Sequence, residues 1–229
     1  MKYASLELGT IEAVFNKLGG IEGAQRFLCG ELECRESENN SAFSLAWHKV
    51  GQALRMEQEF ADLEQRFGSA PASHWPIYVP EGLTCSKVVD ALREAGSRVW
   101  AYHDDLDQEV THNDRDPKNG SYAIQVKATV EADQDLKNFS AHKLKEQGHQ
   151  GITLLERLLL ELSYFLTTDQ HLDAENITLC AGSRLRGGGV FEVGWDPYNR
   201  RVLVFWCYLG YRDDSLRART VVSSPSASR

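Results

Sequence analysis

The residues best suited to chemistry in this chain are a histidine and two neighbouring carboxylates, His103, Asp104 and Asp105. They directly follow residues 98–102, which have the composition of a β-strand. Carboxylate oxygens are ligands that Mg²⁺ prefers, and an imidazole can act as a general base near neutral pH. The three residues therefore predict a ligand-binding site at the end of a strand. A solvated acidic loop is the alternative that the same residues allow.

A second candidate ligand-binding segment is the glycine-rich stretch 182–189, which carries Arg184 and Arg186. Glycine amides can approach a ligand closely, and guanidinium groups bind phosphate or carboxylate oxygens in pairs. The stretch lacks the lysine and the serine or threonine that end a P-loop, and a flexible connection between strands explains it equally. The spacing of cysteines and histidines predicts no metal site, and no motif predicts a cofactor.

Aromatic residues and arginines recur together near the end of the sequence. Trp195, Trp206, Tyr208 and Tyr211 could stack the bases of a single-stranded nucleic acid, but an aromatic strand face that covers a core needs the same residues. The formal net charge is −8. Since phosphates need a basic surface to displace their counterions, nucleic acid is disfavoured as a partner.

The composition is that of an ordinary globular domain, with 42% hydrophobic and 25% charged residues among 229. No apolar run approaches the roughly 20 residues that a membrane span needs, and the first ten residues do not have the pattern of a secretory signal. The five cysteines are scattered, which is typical of reduced thiols. We therefore expect a cytoplasmic protein with no membrane segment.

The strongest structural signal is the segment GITLLERLLLELSYFL at residues 151–166. Its leucines recur at helical spacing, and Thr153 with Glu156 forms a capping box at its start. The wide apolar stripe predicts a long amphipathic helix that lies across a sheet, with its polar side chains facing solvent.

The remaining elements divide between helices and strands. The apolar periodicity predicts helices at residues 10–18, 21–29 and 41–67, with Gly51 weakening the last of them. Strand, helix and strand within residues 76–102 predict a βαβ unit. Residues 190–195 and 202–208 flank a turn and predict a hairpin.

These elements predict an α+β fold, in which a helical N-terminal segment precedes a mixed β-sheet covered by the long amphipathic helix. Because residues 68–74 form a small-residue linker, we place a domain boundary there. The predicted organisation is a helical segment over residues 1–70, an α+β domain over residues 71–222 and a disordered tail over residues 223–229.

Three segments of the chain resemble parts of a set of uncharacterised bacterial proteins that have no assigned function. They are GTIEAVFNKLGGIEGAQRFLCGEL, ADQDLKNFSAHKLKEQGHQGITLLERLLLELSYF and NITLCAGSR. The resemblance implies a bacterial, cytosolic setting. It implies no activity, cofactor or functional residue.

No complete set of catalytic residues is recognisable, the chain is acidic, and the predicted helix over residues 41–67 has a charged face. These observations favour a non-catalytic interaction or regulatory protein that binds another protein or itself. One alternative is a metal-dependent enzyme that acts on a phosphate ester through the acidic cluster at His103. A nucleic-acid-binding module is a further alternative, so the sequence leaves open whether the protein is an enzyme.

Overall fold

A computed structural model describes residues 45–223 together with the single positions Ile21, Gln25 and Cys29. Contacts divide the chain between residues 43 and 44, and all elements below belong to the second unit. Apart from those three positions, the helices predicted at residues 10–18 and 21–29 lie outside the described residues. The tail predicted at residues 223–229 also lies outside them, except for the backbone of Ser223.

Six α-helices and ten strands follow one another within residues 45–223. The helices are α1 (Trp47–Leu54), α2 (Glu57–Phe67), α3 (Cys85–Glu94), α4 (Leu106–Glu109), α5 (Ala141–Glu146) and α6 (Leu154–Thr168). The strands are β1 (His74–Val79), β2 (Val99–Ala101), β3 (Val110–Asn113), β4 (Tyr122–Lys127), β5 (Ile177–Cys180), β6 (Ser183–Leu185), β7 (Val190–Asp196), β8 (Arg201–Cys207), β9 (Leu216–Ala218) and β10 (Val222–Ser223). Two short 3₁₀ turns lie at Pro117–Asn119 and Gln134–Leu136.

Helices α1 and α2 form where the sequence predicts one long helix. The break lies at Arg55, which adopts a left-handed conformation with φ of 56°. Gly51 does not end the helix, but it allows the chain to fold back closely. A Cβ atom at Gly51 would lie 3.0 Å from Cα of Glu57, a distance that real Cβ atoms rarely tolerate.

Both helices pack into the same unit as the strands that follow. The ring of Trp47 stacks on Phe60 with centroids 5.8 Å apart and meets Tyr78 of β1 edge-on at 5.4 Å. The hydroxyl of Tyr78 donates to the carbonyl oxygen of Gly68 at 2.6 Å, which fixes the linker. The contacts therefore divide the chain at a different place from the boundary predicted at residues 70–71.

The strands form a mixed five-stranded sheet in the order β2-β8-β7-β5-β9, a three-stranded sheet β1-β4-β10 and a two-stranded sheet β3-β6. The predicted hairpin is confirmed as β7 and β8, which pair antiparallel over their whole length. The predicted βαβ unit is wrong, because β1 pairs antiparallel with β4 while β2 pairs parallel with β8. The strands pair with partners that are distant in the sequence because their apolar residues are buried together. Ile77 of β1 lies opposite Ile124 of β4, and both are in the core.

Helix α6 runs through the core, and its predicted capping box is confirmed at both hydrogen bonds. The expectation that its polar side chains face solvent is wrong. Glu156, Arg157, Glu161 and Ser163 are all buried, because other elements as well as the sheets pack around the helix. The apolar stripe of α6 packs against strands, as predicted, and the other elements around the helix enclose its polar residues.

Two of the enclosed polar residues of α6, Arg157 and Glu161, belong to a charge cluster that also contains His171, Asp173 and Arg219. Arg157 donates to both carboxylates, with Nη1 2.8 Å from Glu161 and Nη2 2.8 Å from Asp173. At its outer end, Nδ1 of His171 lies 2.8 Å from Glu161. Each buried charge in the cluster therefore has an opposite charge beside it, which offsets the cost of burial.

The outer face of the five-stranded sheet is covered over only part of its width. Helix α5 and the turn at Gln134–Leu136 cover the end that includes β5 and β9. Together with residues of the sheet and of the turn after β5, they form a second hydrophobic cluster of Leu136, Ala141, Leu144, Leu179, Ala181, Val190, Cys207 and Ala218. The architecture confirms the predicted α+β class. No helix among the described residues combines the length and the apolar character that crossing a bilayer requires.

Candidate interaction surface and basic cavity

Two of the residues predicted to form a site at the end of β2 make contacts that hold the local structure. Asp105 caps α4, since its Oδ1 accepts the N–H of Gln108 at 3.0 Å. Nδ1 of His103 lies 4.0 Å from a carboxylate oxygen of Glu109 on the same short helix. Asp104 is exposed. The acidic stretch therefore forms a helix start that faces solvent.

The two arginines of the glycine-rich stretch diverge. Strand β6 ends at Leu185, and the turn that follows fixes Arg186, whose N–H donates to the carbonyl oxygen of Glu109 at 2.8 Å. Arg186 thus lies beside the segment that carries His103. Arg184, two residues earlier, lies opposite His112 of β3 and lines a different cavity.

The described residues do not assemble a metal site. Within residues 45–223 no three His, Cys, Asp or Glu side chains are grouped so that they could hold a metal ion. The metal-dependent chemistry that the sequence allowed therefore has no ligand set in this part of the chain.

The cavity beside Arg184 is basic. It is about 220 Å³ in volume, and Lys145, His149, His112 and Arg184 contribute its basic groups, while Asp114 contributes the carboxylate. A second cavity of about 430 Å³ shares Lys145 and Arg184 with it and extends towards Leu209. Four separate parts of the fold, namely β3, α5, the loop after α5 and β6, bring these side chains together.

An exposed group of aromatic side chains covers the open part of the five-stranded sheet. Trp100, Tyr102 and Phe205 are 37%, 53% and 38% exposed, although side chains of this size are usually buried. They are in mutual contact, with ring centroids 6.3 Å apart for Trp100–Phe205 and 5.2 Å apart for Tyr102–Phe205. Single exposed aromatics are common, but a contiguous group marks a contact surface. We call these three residues the aromatic surface.

The aromatic surface continues through residues that the sequence singled out. Trp206 contacts Tyr102 at 6.2 Å and Tyr208 at 5.2 Å. Trp206 and Trp195 are half-buried and pack against the core, as the core interpretation predicts, whereas Tyr208 is 72% exposed. The C-terminal aromatics are thus divided between the core and the surface.

The two edges of the five-stranded sheet differ. At β9 the carbonyl oxygens of Leu216 and Ala218 accept the N–H groups of Asn138 and Asp133, both at 2.9 Å. The segment before α5 therefore closes that edge. At the opposite edge lies β2, whose three residues carry no charge and no proline that would discourage pairing.

The hydrogen bonds between β2 and β8 determine which backbone groups of β2 point away from the sheet. The carbonyl oxygen of Arg98 accepts the N–H of Val202, and the N–H of Tyr102 donates to Val204. Because backbone groups alternate along a strand, those of Val99 and Ala101 point away from β8. Only a side chain reaches them from within the described unit, since Nη2 of Arg93 lies 3.5 Å from the carbonyl oxygen of Val99.

Comparison with protein-family models, curated protein sequences and solved structures finds no match to this chain. The resemblance to bacterial proteins without assigned function therefore stays a prediction, and the case for function depends on the geometry described above.

Proposed function

We propose that the protein is a non-catalytic interaction protein, and that it binds a second copy of itself through the aromatic surface and the outer edge of β2. The observation that carries the proposal is the position of Trp100, Tyr102 and Phe205 at an edge strand that no backbone segment of the described unit pairs with on its outer side. Burying such side chains is the main source of free energy in association, and aromatic residues are enriched in binding surfaces.

The charges along β2 favour a second copy as the partner. Exposed Arg98 precedes the strand, and exposed Asp104 and Asp105 follow it. In a two-fold dimer two copies of β2 run antiparallel, so the basic end of each strand lies against the acidic end of the other. The surface is therefore complementary in charge to a second copy of itself. An extended segment of another protein would need its own acidic and basic residues at the matching positions.

A cytoplasmic setting is part of this proposal. Cys85, Cys180 and Cys207 are buried free thiols in the described unit. Burial raises the pKa of the Cys85 thiol well above its usual value, with further contributions from Asp107. Thiols that stay reduced and protonated suit a reducing compartment.

Sedimentation of the full chain over a range of concentrations tests the proposal. We expect a monomer–dimer equilibrium that Tyr102→Lys weakens by about tenfold or more, because a lysine on the edge opposes strand pairing. Tyr198→Lys is the matched control, since Tyr198 is 94% exposed on the turn between β7 and β8. It should leave the equilibrium unchanged. A chain that remains monomeric at every concentration would overturn self-association, and binding of an extended peptide at β2 would then identify a different partner.

A further inference from the structure

The basic cavity beside β6 gathers like charges in a protein that is acidic overall. Arg184 and Lys145 supply a guanidinium group and an amino group there, and His112 and His149 add two imidazoles. The carboxylate of Asp114 is 3.6 Å from Nε2 of His112, so it faces that imidazole. Because the whole chain has a net charge of −8, this local excess of basic groups is not a consequence of composition.

The guanidinium of Arg184 is held so that one of its edges is free. Nη1 donates to the carbonyl oxygens of Ala181 and Ser183 at 2.5 and 2.9 Å. Neither Nε nor Nη2 makes a hydrogen bond within residues 45–223. These two N–H groups form the edge that binds phosphate or carboxylate oxygens in a bidentate manner, and the bonds at Nη1 fix its direction in advance.

The cavity also has apolar walls. Leu144 and Ala181 line the smaller space, and Leu209 lines the larger one. A bound molecule can therefore place an anionic group against the basic side chains and an apolar part against these walls, which is the usual composition of a small-molecule site.

We propose that this cavity binds a small molecule through its phosphate or carboxylate group, with Arg184 as the bidentate ligand and Lys145 as the supporting cation. This site is separate from the aromatic surface, so it adds a ligand to the proposed interaction protein. Its chemistry is that of the arginine pair predicted from the sequence, but only one of the two arginines takes part.

Isothermal titration calorimetry of the full chain at fixed ionic strength tests the site, with pyrophosphate and citrate as separate probes. We expect saturable binding of at least one probe. Saturation by pyrophosphate alone identifies a phosphate ligand, and saturation by citrate alone identifies a carboxylate ligand. Arg184→Lys keeps the charge but loses the paired donors, and should weaken binding by about tenfold.

Lys145→Gln supplies a second test that does not depend on Arg184. Lys145 is exposed on α5, so its replacement should leave the fold intact and weaken binding by roughly threefold to tenfold. Lys87→Gln on α3 removes the same charge from an exposed position outside the cavity, and should change binding by less than about twofold. Binding of neither probe, or equal weakening by Lys145→Gln and Lys87→Gln, would overturn the proposal. If Arg184→Lys fails to fold, the comparison of Lys145→Gln with Lys87→Gln decides whether the cavity is the binding site.

Discussion

The carboxylate of Asp173 lies 2.7 Å from Nη2 of Arg219, at a place that solvent does not reach. Its other oxygen accepts hydrogen bonds from Nε and Nη2 of Arg157 at 3.0 and 2.8 Å. One carboxylate therefore joins α6, the loop before β5 and the residue that follows strand β9. Arg219 also donates to the carbonyl oxygens of Thr129 and Val130, which ties a fourth segment to the same point.

Replacement of Asp173 by asparagine should destabilise the fold severely. The two buried guanidinium groups would lose the charge between them, and breaking such a pair costs about 3–5 kcal/mol. The backbone is not the cause, because asparagine accepts the left-handed conformation that Asp173 adopts at φ of 54°. Urea unfolding measures the loss. Asp169→Asn is the control, since Asp169 has φ of 58° but is exposed. Equal effects of the two changes would refute this role.

The same carboxylate predicts how the fold responds to acid. Burial alone would raise the pKa of Asp173, but Arg219 and Arg157 outweigh it and hold the pKa below its usual value of 3.8. A carboxylate whose pKa is lowered by folding stabilises the protein above its usual pKa, and this contribution is lost as the pH falls through the folded value. The difference in unfolding free energy between the unmodified chain and Asp173→Asn should therefore shrink below about pH 4. A difference that stays constant down to pH 2 would contradict the assignment.

The carboxyl group of Glu192 predicts the opposite dependence of stability on pH. Burial raises the pKa of Glu192 above its usual 4.5, and Asp213 adds to the rise, while a hydrogen bond with Cys207 opposes it. The folded state therefore holds this proton more tightly than the unfolded state, and stability falls as the pH rises through that interval. Glu192→Gln should be more stable than the unmodified chain at pH 7, with the gain diminishing towards pH 4.

Urea unfolding at the two pH values measures this gain. Glu94→Gln, an exposed position on α3, is the matched control and should show no such dependence. A gain for Glu192→Gln of the same size at both pH values would show that the charge of Glu192 is not the cause.

The charges that flank β2 predict the outcome of a charge exchange. Arg98→Asp and Asp104→Arg should each weaken the dimer by several-fold, because each places like charges opposite one another across the two-fold axis. The double variant restores both attractive pairs and should recover most of the lost affinity. Sedimentation of the three variants measures this, and a double variant weaker than either single one would exclude the antiparallel arrangement.

Local signals in the sequence predicted the elements that local interactions stabilise. The capping box at Thr153 and Glu156 located the start of α6 correctly, and the turn after Asp196 located the β7–β8 hairpin. Both depend on residues within a few positions of one another. The α+β class followed from the order of such elements.

Long-range packing decided what the sequence could not predict. The burial of Arg157 and Glu161 required knowing that other elements enclose α6 on its polar side. The partners of β1 and β2 depend on strands about 50 and 100 residues away in the sequence. Periodicity reports the two faces of a helix or strand, but it does not report which face a distant element will cover.

The aromatic surface illustrates the same limit at the site. Trp100 and Tyr102 alternate along a predicted strand, and this spacing places both on one face. That face is exposed because the elements that cover the sheet at β5 and β9 stop before they reach β2, and no local pattern in the sequence reports where they stop. The aromatic pair lies directly before the acidic residues that predicted a ligand site.

Residue-specific amide hydrogen exchange, measured by NMR at low and high protein concentration, tests self-association through β2 most directly. The amides of Val99 and Ala101 point away from β8, so they should exchange fast in the monomer and become protected as the concentration rises. The N–H of Tyr102 already donates to Val204 and should change much less. Exchange at Val99 and Ala101 that does not depend on concentration, in a sample that sedimentation shows to be dimeric, would contradict the proposed interface.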